Sequence, residues 1–454
     1  MRTQIVILAA GQGKRMHSDL PKVLHLLAGR SLLSHVITTA RKLSQDPICI
    51  VYGHGGDQVK VALGEEQLVY ALQNPQHGTG HALQQAMPYL GDAPITLVLY
   101  GDVPLVSTEL LQPLINHATE QLTILSATVA DPSGYGRIVR NSEHQVTAIV
   151  EDKDASPAQR SITEINSGIM ALPTVRLKQW LAKLTNNNAQ KEYYLTDVVG
   201  LAIADSVPVV GVCTNDAISI QGVNSRAQLA QLERHYQQQE AQRLLQAGVA
   251  ISDPARIDVR GTLVCGRDVS IDINCLFEGN VRLADGVSIG AHCVLKNIEV
   301  GAQTKIEAFS YLEGASLGEG CRIGPYARIR PGTQLDHDVH IGNFVEVKAS
   351  HIGPGSKANH LSYIGDAEVG CDVNIGAGTI TCNYDGAYKH KTIIEDHVHI
   401  GSDVHLIAPV RVAKGATVGA GTAVWRDTPS GGLIINPKTQ QHLPDWQRPQ
   451  KDKP

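Results

Sequence analysis

The chain has 454 residues, enough for two or three domains that each bury a core. Charged residues make up 18% of it and the formal net charge is −5, which excludes a general electrostatic attraction to nucleic acid or to an anionic membrane. We find no membrane-length apolar stretch, no secretion signal and no paired cysteine spacing, so we expect a reduced, cytoplasmic protein.

Short apolar segments in the first half predict buried strands of a mostly parallel sheet. They are rich in β-branched residues and run over 4–11, 48–53, 95–102 and 122–129, with a helical pattern at 32–43. Helices alternating with such strands indicate an α/β, Rossmann-like domain. Ligands of this architecture bind at the carboxyl ends of the strands.

A glycine-rich turn follows the first predicted strand in "LAAGQGKRM" (8–16). It is neither the dinucleotide fingerprint, because Met16 takes the place of the third glycine, nor a Walker A sequence. Gly11 and Gly13 allow backbone N–H groups to approach an anion, while Lys14, Arg15 and the nearby Lys22 add positive charge. The pattern therefore favours a phosphate site over its alternative, a solvated basic loop.

A carboxylate stands at the end of a predicted strand in "LYGDVPL" (99–105). Mg²⁺ prefers one or two carboxylates together with phosphate oxygens of a substrate. A lone aspartate after a strand is more often a helix cap or a turn former. Because a basic loop is predicted at the same edge of the sheet, we interpret Asp102 as a magnesium ligand.

One long helix is predicted over 225–248, with Ser225 as its N-cap and Gly248 as its stop. Its apolar stripe consists of Leu229, Leu232, Tyr236 and Leu244. At ~1.5 Å per residue the helix spans about 30 Å. We expect it to act as a spacer between domains.

Apolar residues recur at every sixth position from about Ile251 onward. The longest series are Leu317, Ile323, Ile329, Leu335, Ile341 and Val347, and then Ile394, Ile400, Leu406, Val412, Val418 and Val424. A period of six is typical of the hexapeptide repeats of a left-handed parallel β-helix, in which each coil has three short strands and the aliphatic residue points inward. Chance spacing in a glycine-rich region is the alternative, and series of this length make it a poor one.

The period predicts a phosphate-binding wall on this β-helix. Arg330 and Lys348 are eighteen residues apart, which is three hexads and one full coil. Adjacent strands lie ~4.8 Å apart, so both cations are predicted to reach one phosphate. Two solvated surface charges are the alternative.

The period is interrupted at "GTITCNYDGAYKHKT" (378–392) and then resumes. A protruding loop supplies a wall against which a ligand can lie; the alternative is an exposed loop without a ligand. Before it, His360 follows the inward Ala358 by two residues, a phase compatible with an outward side chain. An imidazole there is a candidate base, although 19 histidines make any one of them unremarkable.

Several of these motifs occur together in a known group of enzymes. Leu8-Ala9-Ala10-Gly11, Arg15, "DLPKVLH", "YGDVPL" and "EINSGI" (164–169) resemble sugar-nucleotide pyrophosphorylases. Joined to a hexapeptide half with "CNYDG", the chain from about Gln4 to about Thr428 resembles the bacterial bifunctional N-acetylglucosamine-1-phosphate uridylyltransferase / glucosamine-1-phosphate N-acetyltransferase family. The resemblance implies UDP-N-acetylglucosamine synthesis from UTP, acetyl-CoA and the two sugar phosphates. This product is a precursor of peptidoglycan and lipopolysaccharide.

The resemblance assigns residues to the uridylyltransferase site, with Asp102 and Asn224 as Mg²⁺ ligands. The predicted contacts to UTP and UDP-N-acetylglucosamine are Leu8, Ala9, Ala10, Gly11, Lys22, Gln73, Gly78, Thr79, Tyr100, Gly101, Asp102, Gly136, Glu151, Asn166 and Asn224. The nucleophile is already an anionic phosphate, so no general base is needed and catalysis comes from positioning and neutralisation. Lys22, Arg15 and Mg²⁺ are expected to provide it.

The resemblance also assigns the acetyltransferase site, with His360 as its base. Arg330, Lys348, Tyr363 and Asn374 are predicted to bind the amino sugar phosphate. Ala377, Asn383, Tyr384, Ser402 and Ala420 are predicted to bind acetyl-CoA. The family resemblance further implies a homotrimer assembled through the β-helix, with neighbouring subunits completing each acetyl site.

Two positions depart from the family pattern. Lys14 replaces a threonine of the glycine-rich turn, and we expect it to alter phosphate contacts slightly. Pro437 stands where the family has an arginine for coenzyme A phosphate, with Lys438 beside it. We expect Lys438 to substitute or cofactor affinity to fall.

The predicted domains are a uridylyltransferase domain at 1–226, a linker helix at 227–247, and a β-helix acetyltransferase domain with a C-terminal tail at 248–454. Three alternatives stay open: a pyrophosphorylase of single activity whose β-helix only oligomerises or regulates, a zinc enzyme and a non-catalytic scaffold. The zinc enzyme would use His337, His340, His351 or His360. Partners are expected to be small-molecule substrates, with neither nucleic acid nor membrane.

Overall fold

The computed structural model describes residues 2–11, 13–53, 55–64, 67–437 and 439–448. The chain divides into two compact units, Met1–Tyr236 and Gln237–Pro454. The division falls inside the long helix that the sequence predicts at 225–248. Each unit has its own architecture.

The first unit contains a nine-stranded sheet and a small two-stranded one. Its strands are β1 Thr3–Leu8, β2 Leu26–Leu27, β3 Arg30–Ser31, β4 Ile48–Tyr52, β5 Leu68–Leu72, β6 Ile95–Tyr100, β7 Leu122–Thr128, β8 Gly136–Arg140, β9 Val146–Val150, β10 Glu164–Pro173 and β11 Val209–Thr214. The main sheet has the order β11-β7-β10-β6-β1-β4-β5, with β8 and β9 attached beside β10. Strands β1, β4, β5 and β6 pair in parallel, whereas β10 runs antiparallel to β6 and β7.

Helices connect these strands. They are α1 Leu32–Leu43, α2 Asp57–Leu63, α3 Thr79–Ala86, α4 Thr108–His117, α5 Pro157–Arg160, α6 Thr174–Leu181 and α7 Val198–Ala204. The last helix, α8 Arg226–Gln246, follows β11 and contains the division between the two units. Helix α1 begins where the Ser31 hydroxyl accepts the Ser34 N–H at 3.1 Å. The Ser225 hydroxyl accepts the Gln228 N–H at 3.2 Å and so caps α8 as predicted. Within the described residues, no helix combines the length and apolarity of a membrane span.

The sheet has a hydrophobic core on each face. Ile5 and Ile7 of β1 belong to one core, while Val6 and Leu8 belong to the other. This alternation explains why the strand reads as a continuous apolar run, because both faces are covered by helices. The predicted α/β, Rossmann-like domain is confirmed.

The second unit is built from short strands. They are β12 Ala250–Ile251, β13 Ile257–Cys265, β14 Ser270–Ile271, β15 Cys275–Leu283, β16 Ser288–Ile289, β17 Val294–Val300, β18 Lys305–Ile306, β19 Tyr311–Glu313, β20 Ser316–Leu317, β21 Arg322–Ile323, β22 Arg328–Ile329, β23 Gln334–Leu335, β24 His340–Asn343, β25 Glu346–Lys348, β26 His351–Ile352, β27 Lys357–His360, β28 Tyr363–Gly365, β29 Ala367–Val369, β30 Asn374–Ile375, β31 Ile380–Cys382, β32 Thr392–Ile394, β33 His399–Ile400, β34 His405–Ile407, β35 Val410–Val412, β36 Thr417–Val418, β37 Ala423–Val424 and β38 Leu433–Ile434.

These strands stack into three parallel faces. The first face is an eleven-stranded sheet of β12, β14, β16, β18, β21, β24, β27, β30, β33, β36 and β38. A sixteen-stranded sheet supplies the other two: its long strands β13, β15 and β17 run across both, and the later coils split into a second face (β19 to β37) and a third (β20 to β35). This is the left-handed parallel β-helix that the hexad period predicts.

The aliphatic residue of each hexad points into the prism. Ile323, Ile329, Ile341 and Val347 are fully buried, and they belong to one core that runs the length of the unit. Each lies in register with its counterpart one coil away, as in the pairs Ile323↔Ile341 and Ile329↔Val347. The prediction that the aliphatic residue of each hexad points inward is confirmed for these residues.

The predicted interruption is an enlarged coil. Backbone partners on successive coils are 17 residues apart at Ala358↔Ile375 but 25 apart at Ile375↔Ile400. The extra residues emerge between β31 of the second face and β32 of the third. The regular stacking resumes at once, so the insertion leaves the core unchanged.

We expect Ile323→Ala to lower the free energy of unfolding by about 2–5 kcal/mol, because it leaves a cavity between stacked coils. Arg322→Ala is the matched control, since Arg322 is the adjacent, exposed residue of the same strand. Denaturant unfolding of the full chain measures both. A larger loss from Arg322→Ala than from Ile323→Ala would contradict the inward assignment.

Candidate active sites

A cavity of about 510 Å³ opens at the carboxyl ends of β1 and β6 in the first unit. It gathers most of the predicted nucleotide contacts, because parallel strands end at the same edge of the sheet. Its lining includes Leu8, Ala9, Ala10, Gly11, Lys14, Lys22, Gln73, Gln76, Gly78, Thr79, Tyr100, Asp102 and Glu192.

Lys22 joins two oxygen-bearing side chains at this edge. Its Nζ donates to the Asp102 carboxylate and, at 3.0 Å, to the Asn224 amide oxygen. Lys22 and Asp102 are mostly buried, so their charges are poorly screened. The two predicted metal ligands therefore already share one cation, and the position between them suits a positive charge.

The glycine-rich turn wraps around the Lys22 side chain. Gly13 has φ 63°, and a Cβ there would lie 2.7 Å from Lys22 Cβ. A side chain at Gly13 would therefore be strained by its backbone and would push Lys22 away from Asp102. The predicted loop cation Lys14 lines the cavity. Arg15 lies on the adjacent helical turn and is exposed, outside that lining.

Gly136, Glu151 and Asn166 form a second group beside Tyr100. Gly136 pairs with Asn166 across β8 and β10, and a Cβ at Gly136 would lie 3.5 Å from Glu151 Oε2. Burial, followed by the charges of Glu151 and Asp102, raises the pKa of Tyr100. Tyr100 thus lies between the two predicted groups, and Gly101 fills the tight space behind it against Ala9.

Glu151 is an unusual carboxyl for a binding site. It accepts a hydrogen bond from the Thr196 hydroxyl at 2.9 Å. Burial, together with the charges of Asp197, Asp154 and Asp152, raises its pKa above the ordinary value of 4.5. A buried carboxyl whose ionised form is disfavoured in this way is typical of functional sites.

On the β-helix, the predicted phosphate-binding cations are neighbours in register. The pairs Arg328↔Glu346 and Ile329↔Val347 bring Arg330 beside Lys348 on the second face. The Arg330 guanidinium donates to Glu346 at 2.7 Å, and Lys348 Nζ lies 3.8 Å from Asp366. Tyr363 occupies the next coil, and a Cβ at Gly365 would lie 2.4 Å from its hydroxyl. The ring therefore lies across the face toward these cations.

The loop predicted to bind a ligand is anchored at this face. Asn383 is buried and donates to the Asp366 carboxylate, one coil earlier at the same corner. The loop turn is held by Asp385, which accepts the N–H groups of Ala387 and Tyr388 at 2.8 and 2.7 Å. These contacts lower the pKa of Asp385, and Tyr384 stays exposed on the loop surface.

Four further predicted residues occupy one corner of successive coils. The pairings Ala358↔Ile375, Ile375↔Ile400 and Ile400↔Val418 put His360, Ala377, Ser402 and Ala420 at equivalent positions, two residues later in each coil. Asn374 lies on the first face, three residues before Ala377. The column lies where the chain passes from the first face to the second, and Arg330 and Lys348 lie at the other end of the second-face strands.

Some residues at these sites carry no clear sequence signal. Gln76 donates to the Ala10 carbonyl, and Glu192 reaches the nucleotide cavity from a loop far along the chain. Glu346 and Asp366 neutralise the cations on the β-helix. Lys389, on the inserted loop, lies so close to Lys348 that this ammonium lowers the pKa of Lys389. In the sequence, only the position of Lys389 in the Lys-rich inserted loop indicates a role at this site.

Two sequence predictions receive no support from the described residues. The four histidines proposed for a zinc enzyme form no group of three metal-ligating side chains in the part of the chain that the structure describes. Pro437 is exposed. Lys438, the proposed substitute for the missing arginine, lies outside the described residues.

The fold and the cavity define a nucleotidyltransferase domain joined to a hexapeptide β-helix. A family model described as the MobA-like NTP transferase domain matches residues 5–251, and one described as the GMPPB C-terminal domain matches residues 259–359. The chain is 59% identical over 452 residues to "Bifunctional protein GlmU" of Nitrosospira multiformis, covering 99% of this chain and 98% of that one.

Two further relatives show a similar identity over nearly the whole chain. The proteins of the same name are 58% identical over 450 residues in Herminiimonas arsenicoxydans, covering 99% of both chains, and 57% over 452 residues in Bordetella parapertussis, covering 98% of this chain and 99% of that one. The chain belongs to the family of the bifunctional protein GlmU. This membership confirms the prediction of a bifunctional enzyme of UDP-N-acetylglucosamine synthesis over a single-activity pyrophosphorylase or a scaffold.

We expect Glu151→Gln to raise the melting temperature at pH 7. A carboxyl whose folded pKa lies above its unfolded value destabilises the fold once it ionises, and this cost disappears as the pH falls below 4.5. The gain should therefore shrink toward pH 4, measured by thermal melts of the full chain. Glu143→Gln, an exposed control, should change little. A gain that grows as the pH falls would contradict the raised pKa.

Proposed function

We propose that the β-helix unit transfers an acetyl group from acetyl-CoA to glucosamine 1-phosphate, and that the first unit then joins N-acetylglucosamine 1-phosphate to UTP. The activities map to residues 248–454 and 1–226, with 227–247 as the linker. The observation that carries this proposal is the relationship to GlmU proteins over 99% of the chain, which includes both units. We further propose a cytoplasmic location and a role in supplying peptidoglycan and lipopolysaccharide synthesis.

In the uridylyl reaction, a phosphate oxygen of N-acetylglucosamine 1-phosphate attacks the α-phosphorus of UTP. The bond to the β-phosphate oxygen breaks, and pyrophosphate leaves with the electron pair. Lys22 and Arg15 neutralise the phosphates, and N–H groups of the turn at Gly11 and Gly13 orient them. Glu151 and Asn166 hold the sugar side, beside Tyr100. The Lys22 contacts at the strand ends support this assignment.

Asp102 and Asn224 would hold Mg²⁺ in this site. Their oxygen donors suit a hard cation, and both already contact the Lys22 ammonium, so the position between them accepts positive charge. When bound, Mg²⁺ would supply further neutralisation of the phosphates. The Lys22 ammonium would then leave that position and neutralise the leaving pyrophosphate as a second cation.

In the acetyl reaction, His360 takes a proton from the ammonium of glucosamine 1-phosphate. The freed amine attacks the thioester carbonyl, the carbon–sulfur bond breaks, and the proton lost from the attacking nitrogen goes to the sulfur, so that coenzyme A leaves as its thiol. Arg330 and Lys348 bind the sugar phosphate, with Tyr363 and Asn374 along the sugar. Ala377, Ser402 and Ala420 line the corner that includes His360. Asn383 and Tyr384 form the loop surface against which acetyl-CoA lies.

We propose a homotrimer assembled through the β-helix. An exposed ladder of His292, Phe309, Tyr326 and Phe344 supports it, with ring centroids 4.8, 4.9 and 5.2 Å apart. Phe344 is 58% exposed, and Leu361, which follows Phe344 in the ladder one coil later, is 64% exposed. This ladder lies beside the column that contains His360. Exposed apolar patches of this kind mark association surfaces. A second copy packed there would cover the ladder and close the acetyl site.

We expect His360→Ala to abolish acetyl transfer and to leave uridylyl transfer intact, because the two sites use different residues on different units. Asp102→Ala is the reciprocal variant and should abolish only uridylyl transfer. Thiol release from acetyl-CoA with glucosamine 1-phosphate, and pyrophosphate release from UTP with N-acetylglucosamine 1-phosphate, measure the two reactions.

The histidine control is His405→Ala, a half-buried residue on the second face outside the predicted site. It should retain both activities. Loss of both activities in His360→Ala, or of neither, would contradict the assignment of separate sites.

A further inference from the structure

A cysteine, an aspartate and a histidine come together at a corner of the β-helix that the proposed reactions do not use. Cys371 and Asp372 lie between β29 and β30, and His397 lies between β32 and β33. Their ligand atoms, Cys371 Sγ, an Asp372 carboxylate oxygen and a His397 ring nitrogen, all lie within 4.8 Å of one another. The corner joins the third face to the first, away from the column of His360.

The backbone brings these side chains together. Ile375↔Ile400 pairing stacks the two turns, and the His397 N–H donates to the Cys371 carbonyl at 2.9 Å. Asp372 and His397 share a left-handed conformation, with φ of 52° and 57°. Equivalent turns therefore project their side chains in the same direction, and His397 Nδ1 lies 3.7 Å from Asp372 Oδ2.

A fourth candidate ligand, the carboxylate of Asp396, is close by. Asp396 accepts the Cys371 N–H at 3.1 Å, and its carboxylate lies so close to Gly370 that a Cβ there would be 2.5 Å away. Lys414 Nζ lies 3.5 Å from it and balances part of its charge. A groove of about 440 Å³ reaches this corner, with Asp336, Glu368 and Glu395 in its lining. Glu368 and Glu395 of this lining are paired with Lys391 and Arg411.

We propose that Cys371, Asp372 and His397 bind a divalent transition metal of the zinc type. A thiol and an imidazole beside one carboxylate select such a metal over Mg²⁺ or Ca²⁺, which prefer oxygen donors alone. Ligand atoms of a tetrahedral zinc site lie about 3.5 Å apart. Small side-chain rotations would bring the ligand atoms of Cys371, Asp372 and His397 to that spacing. Water, or Asp396 after rotation, completes the coordination.

The site has a structural consequence for the inserted loop. Cys371 and Asp372 belong to the coil before the insertion, and His397 follows it by only a few residues. The chain between them includes the anchored Asn383 and the exposed Tyr384. A bound metal joins the two turns on either side of the insertion. It therefore stabilises the base of the loop and adds no step to either reaction.

Cobalt(II) is the probe for this site, because a thiolate bound to cobalt gives a near-ultraviolet charge-transfer absorption. We expect the metal-free full chain to show this absorption on titration with cobalt and to lose it on competition with zinc. Cys371→Ser should abolish the band. His397→Gln should weaken cobalt binding roughly tenfold or more, as loss of metal-site partners does.

Cys213→Ser is the matched control, since Cys213 is an exposed thiol of the first unit. It should retain the band and the affinity. Zinc should raise the melting temperature of the wild-type chain more than that of Cys371→Ser. The proposal is overturned if the wild-type chain gives no thiolate band, if Cys371→Ser keeps it, or if His397→Gln binds cobalt as tightly as the wild type.

Discussion

The stacking of aliphatic side chains inside the β-helix is the constraint on which the proposed acetyltransferase site depends. Each inward residue, such as Ile341 or Val347, fixes the register of its coil against the next. A slip of one residue would turn every outward side chain inward. Register therefore brings residues a whole coil apart to one place. The Arg330–Lys348 pair and the corner column of His360 both arise in this way.

The first unit also brings distant side chains together, but it does so at the ends of the strands of its sheet. Its strands are covered on both faces, so functional groups collect where β1 and β6 end. A glycine-rich turn without side chains lets Lys22 extend beneath it to Asp102 and Asn224. The sheet provides rigidity and the loops provide charge. Two unrelated architectures thus each bring cations together where we propose that phosphate binds.

Periodicity and strand-end motifs predicted most of the fold and a few site residues, such as Lys22, Asp102 and the Arg330–Lys348 pair, whereas the family resemblance supplied most of the other assignments. The inward positions are named by their spacing alone, and Lys22 and Asp102 follow strands whose ends meet in space. Gln76, Glu192 and Lys389 could not be found in this way, because they arrive from loops with no period. The raised pKa of Glu151 likewise depends on Asp197 and Asp154, which only folding brings near. The Cys371–His397 contact depends on a 25-residue coil that interrupts the pattern.

The most direct measurement is a double-mutant cycle of Arg330→Ala and Lys348→Ala on kcat/KM for glucosamine 1-phosphate in acetyl transfer. If coil register makes the two cations one phosphate site, their effects are coupled, with an interaction of about 0.5–3 kcal/mol. Independent surface charges would give losses that add within about 0.3–0.5 kcal/mol. That additive result would contradict the central claim.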